Sequence, residues 1–170
     1  MKKTALTSLC LALCVLLCAC GSDKTALKTE DLSMTVDGKT VSADASVASI
    51  LERFGPDYEM AEAVSCVYSG MERTYSYEHF ILYTYPGDDG QEHLMEAYAD
   101  AGAQTSRGVK VGDSLKDVEA AYGSDYTRAG GVVTFSMEGA NEQTVPAGIY
   151  FELSDDIVTA IGIVAEHRAQ

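Results

Sequence analysis

Basic residues are scarce in this chain, and the familiar catalytic motifs are missing from it. The 170 residues include 12 Lys and Arg against 26 Asp and Glu, a formal net charge of −14 at pH 7. A surface of that sign repels nucleic-acid phosphates and anionic lipid headgroups. The sequence also contains no nucleophile elbow, phosphate-binding loop or dinucleotide fingerprint. These absences predict a protein that has no enzymatic activity, needs no cofactor and does not bind nucleic acid.

Cysteine is almost absent after the first twenty residues. Four of the five cysteines lie at positions 10, 14, 18 and 20, and Cys66 is the fifth. A single thiol in the body of the chain excludes an internal disulfide framework. Because the segment 65–68 is largely apolar and strand-like, we expect Cys66 to be a small buried hydrophobic residue.

The histidines and the most acidic turn form no metal-binding pattern. His79, His93 and His167 lack the regular spacing of zinc-binding histidine pairs. The turn Asp88-Asp89-Gly90 lacks the remaining ligands of a calcium-binding loop. We therefore expect surface histidines, a solvated turn and no metal site.

The first twenty residues predict export and lipid attachment. Two lysines precede an apolar run at residues 6–17, and Ala19 is a small residue directly before Cys20, which is the order of a secretory signal peptide. The tetrad Leu17-Cys18-Ala19-Cys20 resembles the lipobox of bacterial lipoproteins. That resemblance implies cleavage after residue 19, a diacylglycerol with acyl chains such as palmitate on Cys20, and anchoring at the extracytoplasmic face of the cell membrane.

Two alternatives exist for this leader. A retained transmembrane anchor is one, although the apolar run is shorter than the roughly 20 residues that a membrane-spanning helix needs. Lipid on Cys18 is the other, and it would place Leu17 where the peptidase prefers a small residue. Cleavage before Cys20 leaves 10 basic and 26 acidic residues, a formal charge of −16.

The remainder predicts one domain behind a short tether. Residues 20–31 comprise the lipidated cysteine and a polar segment without apolar periodicity, which is typical of a flexible tether. Residues 32–170 are enough for a single domain with its own core. Asp37-Gly38, between two short β-type segments, predicts a hairpin at the start of that domain.

Two segments predict short amphipathic helices that begin and end alike. In the first, apolar residues recur at 47, 50, 51 and 54, with Asp44 placed to accept from free N–H groups and Gly55-Pro56 ending the helix. In the second, Gly112-Asp113-Ser114 precedes apolar residues at 115, 118, 121 and 122, and Gly123 ends the run.

The two helical segments match at a constant offset of 68 residues. Positions 46 and 114 are both serine, 55 and 123 both glycine, 57 and 125 both aspartate, and 58 and 126 both tyrosine. This agreement predicts an internal duplication with repeats at about 44–100 and 112–166. Strand-like segments follow each helix, at 63–68, 73–77, 80–85 and 92–99 and then at 131–138, 148–153 and 157–164. The predicted fold is α+β, with two similar halves that each consist of a short helix and an antiparallel β-meander.

Tyrosines are concentrated in the first set of strands. Alternation along 80–85 places Phe80 and Leu82 on one face and Ile81, Tyr83 and Tyr85 on the other, so both faces carry large side chains. Tyrosine offers a large contact area with a polar tip and is suited to binding another protein. The candidate partner-binding residues are Tyr75, Tyr77, Tyr83, Tyr85 and Tyr98.

The second helical segment carries a family resemblance. Residues 108–118, followed by Tyr122-Gly123, resemble the start of the helix in small outer-membrane-assembly lipoproteins of the SmpA/OmlA type and in β-lactamase-inhibitor-protein-like domains. The latter are tandem repeats whose sheet presents a concave aromatic face to a partner protein. The layout of Ser65–Gly70 and Tyr75-Ser76-Tyr77 resembles lipoproteins of Gram-positive anaerobes that have no assigned activity.

These features predict a membrane-anchored extracytoplasmic lipoprotein that binds another extracytoplasmic protein at the cell surface without catalysing a reaction. The alternative is a solute- or cation-binding lipoprotein. That alternative calls for a buried pocket or clustered carboxylates in place of an open tyrosine-bearing sheet.

The lipid anchor gives a first testable prediction. Replacing Cys20→Ser removes the only thiol placed for lipid transfer, and two acyl chains are what make such anchoring stable. We expect the variant to accumulate unprocessed or to leave the membrane fraction, as followed by radiolabelled palmitate and cell fractionation. A lipid-labelled mature protein in the variant would contradict the assignment.

Overall fold

One large antiparallel sheet organises the chain. The computed structural model describes residues 26–139, 141 and 143–169, so the predicted leader and Cys20 lie outside the described residues. The helices are α1 (Val47–Phe54) and α2 (Leu115–Tyr122), with a 3-10 turn at Thr29–Asp31. The strands are β1 (Ser33–Val36), β2 (Lys39–Ser42), β3 (Glu59–Val64), β4 (Met71–Ser76), β5 (Phe80–Pro86), β6 (Glu92–Ala99), β7 (Ala103–Thr105), β8 (Thr127–Ala129), β9 (Val132–Ser136), β10 (Thr144–Val145), β11 (Gly148–Ser154), β12 (Ile157–Val164) and β13 (His167–Arg168).

The strands form three antiparallel sheets. The largest has the order β3-β4-β5-β6-β12-β11-β9-β8, so the pairing of β6 with β12 joins the strands that follow α1 to those that follow α2. A three-stranded sheet has the order β2-β1-β7, and β10 pairs with β13. This mixture of antiparallel sheets and two short helices confirms the predicted α+β class. In the part of the chain that the structure describes, neither helix has the length and apolar composition of a membrane span.

Both helices start on a serine and end on a glycine. The Ser46 and Ser114 side chains accept from the backbone N–H of the third helical residue, at 3.3 Å in each case. The prediction that Asp44 caps α1 is wrong, because its carboxylate accepts from the Ser42 hydroxyl at 2.6 Å. Gly55 and Gly123 have φ of 89° and 87° with ψ of −178° and −174°. These values lie in an extended region of positive φ that is almost restricted to glycine.

The core lies on one face of the large sheet. Both helices and the three-stranded sheet pack there, because alternate strand residues on that face are aliphatic or aromatic. Each side chain buried fully in this way contributes roughly 1.5–3 kcal/mol to folding. The buried residues include Met34, Val36, Val41, Ile50, Phe80, Leu82, Val118, Tyr122, Phe135, Ile149, Phe151, Ile161 and Ile163.

The end of the predicted tether is in contact with the domain. Asp31 is buried and accepts from Arg107 at 2.8 Å and 2.5 Å, and hydrogen bonding to that guanidinium holds the pKa of the Asp31 carboxyl below its usual value. Arg107 also donates to the Ala26 carbonyl at 3.1 Å and lies over the Tyr122 ring. Leu27 packs against the core. Residues 26–31 are therefore fixed to the helix side of the large sheet.

Cys66 is exposed, so the prediction that it is buried is wrong. The predicted strand at 63–68 instead ends at Val64. The Ser65 hydroxyl accepts from the backbone N–H groups of Val67 at 3.1 Å and Tyr68 at 2.9 Å, which turns the chain out of the strand. Tyr68 takes the buried position in this turn.

The helix-ending glycines give a second testable prediction. Gly55→Ala and Gly123→Ala place a β-carbon on backbone that L-residues rarely adopt, at a cost on the order of 1–3 kcal/mol each. Each change should lower the melting temperature by roughly 2–4 °C per kcal/mol in a chain of this size. Glu52→Ala, on the exposed side of α1, is the control and should have little effect. Melting curves in which either glycine variant matches this control would contradict the assignment.

Candidate protein-binding face

The large sheet has a second face that the helices do not cover, here called the open face. It is formed by the strand residues that alternate with the core positions. Cross-strand register places Tyr83 beside Glu96, Tyr98 beside Gly162, and Gly162 beside Tyr150. Because directly opposed residues share a face of an antiparallel sheet, these side chains lie on the same side.

A shallow depression of about 580 Å³ lies at the centre of the open face. A β-bulge in β6 contributes to it, since Met95 is the extra residue where the register shifts between Tyr83 and Thr84. All of its lining residues belong to β4, β5, β6 and β11, so among the described residues no loop or helix covers it. They are Glu72, Tyr83, Met95, Glu96, Tyr98, Tyr150 and Glu152.

Two tyrosine hydroxyls cross β12 in opposite directions to reach glutamates. Tyr150 on β11 donates to Glu96 Oε1 on β6 at 2.5 Å. Tyr98 on β6 donates to Glu152 Oε2 on β11 at 3.3 Å. These hydrogen bonds hold both rings across the sheet and fix the position of one oxygen of each carboxylate.

Gly162 makes this crossing possible. Its position on β12 lies directly below the Tyr150 ring, and a β-carbon built there would be 2.1 Å from Tyr150 Cζ. That distance is far shorter than a van der Waals contact, so any other residue would displace the ring. Glycine is required at position 162 because the Tyr150 ring approaches the backbone there so closely.

The surroundings keep the crossing hydroxyls protonated. Burial raises the pKa of Tyr150, and its hydrogen bond to Glu96 acts in the same direction. Burial and the neighbouring Glu152 carboxylate raise the pKa of Tyr98. Both groups therefore donate at neutral pH.

The open face carries charge of one sign. None of its strand positions is Lys or Arg, since Arg73 and Arg128 lie opposite Thr84 and Val133 on the other face. Arg73 is paired there with Glu62 at 2.7 Å and with Glu92 at 3.2 Å. The residues that alternate onto the open face in β3, β4, β6 and β11 include Glu59, Glu72, Glu96 and Glu152.

Two of the five candidate tyrosines, Tyr75 and Tyr77, lie on the helix side of the large sheet and not on the open face. Tyr75 opposes the core residue Leu82, is only 4% exposed, and donates to Glu92 at 3.0 Å. Tyr77 donates to the Gly55 carbonyl at 2.9 Å and packs on Phe80. Burial raises the pKa of each of these tyrosines to about 12. Both are core residues on the helix side.

The other candidates lie on or near the open face. Tyr83 and Tyr98 line the depression, and Tyr83 is 36% exposed. Tyr85 lies at the end of β5, where it stacks on Tyr68 with a centroid distance of 4.3 Å and on His93 at 5.5 Å. It is therefore occupied by contacts within the chain.

Tyr150 is the residue that sequence reasoning missed. Alternation along 148–153 puts Tyr150 and Glu152 on the strand face opposite Ile149 and Phe151, yet Tyr150 is not among the candidate partner-binding residues. Its role depends on Glu96 and Gly162, which lie far from it along the chain. The available signal was a glycine in the middle of the otherwise apolar strand at 157–164.

His79 and His93 lie beside exposed carboxylates, whereas His167 Nδ1 lies 2.8 Å from the Ala165 carbonyl oxygen. His79 Nδ1 lies 3.0 Å from Asp100 Oδ1, and His93 Nε2 lies 2.9 Å from Asp89 Oδ1, all four side chains being substantially exposed. Within residues 26–139, 141 and 143–169, no three His, Cys, Asp or Glu side chains gather as a metal site would require.

A second cavity, of about 660 Å³, lies between the start of α1 and the start of β6. Glu92 is one of its acidic lining residues. That carboxylate accepts from Tyr75, Thr84 and Arg73, so its hydrogen-bonding capacity is used within the protein.

Comparison with known proteins gave no relatives to guide the assignment: no family model, curated protein or solved structure matches the chain.

The glycine below Tyr150 gives a third testable prediction. Gly162→Ala should displace the ring and break the Tyr150–Glu96 hydrogen bond, lowering stability by about 1–3 kcal/mol, as overpacking does. The pKa of the released Tyr150 should fall towards the ordinary tyrosine value, which an alkaline absorbance titration measures.

Tyr150→Ala is the matched partner for a double-mutant cycle. With the ring removed, Gly162→Ala should lose most of its cost, because the two changes act on one contact. Additive costs in the double variant would show that Gly162 is needed for another reason.

Proposed function

We propose that the protein is a lipid-anchored extracytoplasmic module that binds another protein through its open face and catalyses no reaction. The observation that carries this proposal is an uncovered sheet face on which Tyr83, Tyr98 and Tyr150 surround a depression. The Tyr98 and Tyr150 rings are held in place by hydrogen bonds, so they lose little conformational entropy on binding. Exposed aromatic surface on a folded domain typically marks an interaction site.

The proposed anchor is compatible with this use of the face. Lipid on Cys20 attaches the chain to the membrane six residues before Ala26 in the sequence. Ala26 is held on the helix side by Arg107, a residue that also contacts the ring of Tyr122 in α2. The tether therefore joins the domain on the side opposite the depression and leaves the open face accessible to a partner.

We further propose that the domain consists of two similar halves, at about 44–100 and 112–166. Each half begins with a serine-capped helix that ends on a glycine of positive φ. Four strands follow each helix, in the order β3-β4-β5-β6 and, apart from the short β10, β8-β9-β11-β12. Tyr58 meets Tyr75 edge-on at 5.0 Å, and Tyr126 meets Phe135 edge-on at 5.5 Å. These parallels support an inhibitor-protein-like arrangement, in which the repeats build one sheet that faces a partner.

The fourth prediction tests the binding role. Purified domain should retain one or more proteins from a cell-surface extract, and Tyr83→Ala combined with Tyr98→Ala should abolish their retention. The double variant should keep a cooperative thermal transition, since neither ring lies in the core.

Tyr126→Ala is the matched control. This tyrosine is half-exposed, lies on the helix side and donates to Glu119 at 2.9 Å. A protein counts as a partner of the open face only if the Tyr126→Ala control retains it and the Tyr83→Ala, Tyr98→Ala double variant does not. An identical set of retained proteins from both variants would exclude the open face as the binding surface.

A further inference from the structure

The open face combines aromatic rings with carboxylates, and none of its strand positions is Lys or Arg. Around the depression, three tyrosines alternate with three glutamates from four strands. An arginine or lysine side chain is attracted to both kinds of group, to the ring face and to the carboxylate. The chain as a whole is also strongly acidic, which would favour approach of a positively charged partner.

The carboxylates are positioned before any partner arrives. Glu96 and Glu152 each accept one tyrosine hydroxyl, at 2.5 Å and 3.3 Å, and keep further lone pairs free. A carboxylate that is already oriented loses less entropy on forming an ion pair than a freely rotating surface glutamate does. The crossing hydrogen bonds thus prepare two anionic acceptors on a rigid sheet.

The spacing of these groups fits a side chain better than a bare metal ion. Glu96 and Glu152 lie on β6 and β11, and β12 runs between them. In the described part of the chain they do not form a cluster with a third ligand. A guanidinium is planar, pairs with carboxylates through two N–H groups and stacks on aromatic rings, so it can use separated acceptors.

We propose that the partner contacts the open face with a basic surface, and that one of its arginine or lysine side chains enters the depression between Tyr83, Tyr98 and Tyr150. This inference rests on the proposed function, because it names the chemistry of the partner at the same face. The basic side chain lies against the tyrosine rings and pairs with Glu96 or Glu152.

The fifth prediction uses a defined probe, the blocked peptide acetyl-Arg-Arg-Arg-Arg-amide, with its tetracitrulline counterpart as the uncharged reference. Titration into the isotope-labelled domain should shift the backbone amide signals of Glu96, Tyr98 and Gly162 first. Glu96→Gln with Glu152→Gln keeps both oxygen acceptors for the tyrosines and removes both charges. We expect this variant to bind the peptide at least about tenfold more weakly, the equivalent of 1.4 kcal/mol.

A charge-matched control separates this site from general attraction. Glu30→Gln with Glu52→Gln removes the same charge from exposed positions on the helix side. It should change the peptide affinity by less than about threefold, as expected for surface charges at a distance. Equal weakening in the two variants, or shifts spread over the whole acidic surface, would overturn the inference.

Two further outcomes are informative. If calcium chloride at stoichiometric concentration shifts the same amide signals, the depression is a metal site and not a site for a basic side chain. That result would overturn the inference. Loss of partner retention with the Tyr83→Ala and Tyr98→Ala double variant, but full retention with Glu96→Gln and Glu152→Gln, would also overturn it while leaving the binding role of the face intact. Retention that none of these variants changes would overturn both proposals.

Discussion

The pairing of β6 with β12 is the contact on which both the fold and the candidate site depend. It joins two groups of four strands into one sheet and gives the helices a continuous surface to cover. The same pairing sets Tyr98 beside Gly162 and brings Tyr150, one strand further, within reach of Glu96. A shift of one residue in this register would move these side chains to the core face and aliphatic core residues to the solvent. The core therefore fixes the geometry of the open face.

The two faces of the sheet follow different physical rules. On the helix side, stability comes from aliphatic and aromatic burial, and the polar tips of Tyr75 and Tyr77 are satisfied by hydrogen bonds to Glu92 and the Gly55 carbonyl. On the open side, no segment within residues 26–139, 141 and 143–169 covers the depression. The Tyr98 and Tyr150 rings are held there by hydroxyl hydrogen bonds across the sheet, and Gly162 provides the space beneath Tyr150. The result is an acidic and aromatic surface held by hydrogen bonds between its own strands.

Local sequence signals predicted the elements well, whereas cross-strand relationships limited the prediction of the site. The spacing around α1 and α2, the Asp37-Gly38 hairpin and the strand bounds of β6 and β12 follow from short-range patterns. Alternation shows which residues of one strand share a face. It cannot show which residues of the neighbouring strand lie on that same face of the sheet, because that depends on the register. For this reason the candidate partner-binding residues include Tyr75, which in the structure pairs with Leu82 on the core face. The bulge at Met95 and the distant pairing of Tyr150 with Glu96 likewise depend on register, which a single sequence does not contain.

The central claim is that the open face, and no other surface, meets the partner. Site-specific photocrosslinking in intact cells tests it directly, with a benzophenone side chain at position 83 in the depression or at position 116 on the exposed surface of α2. Binding through the open face predicts a discrete crosslinked protein from position 83, competed by excess unlabelled domain, and no such product from position 116. A specific crosslink from position 116 with none from position 83 would contradict it.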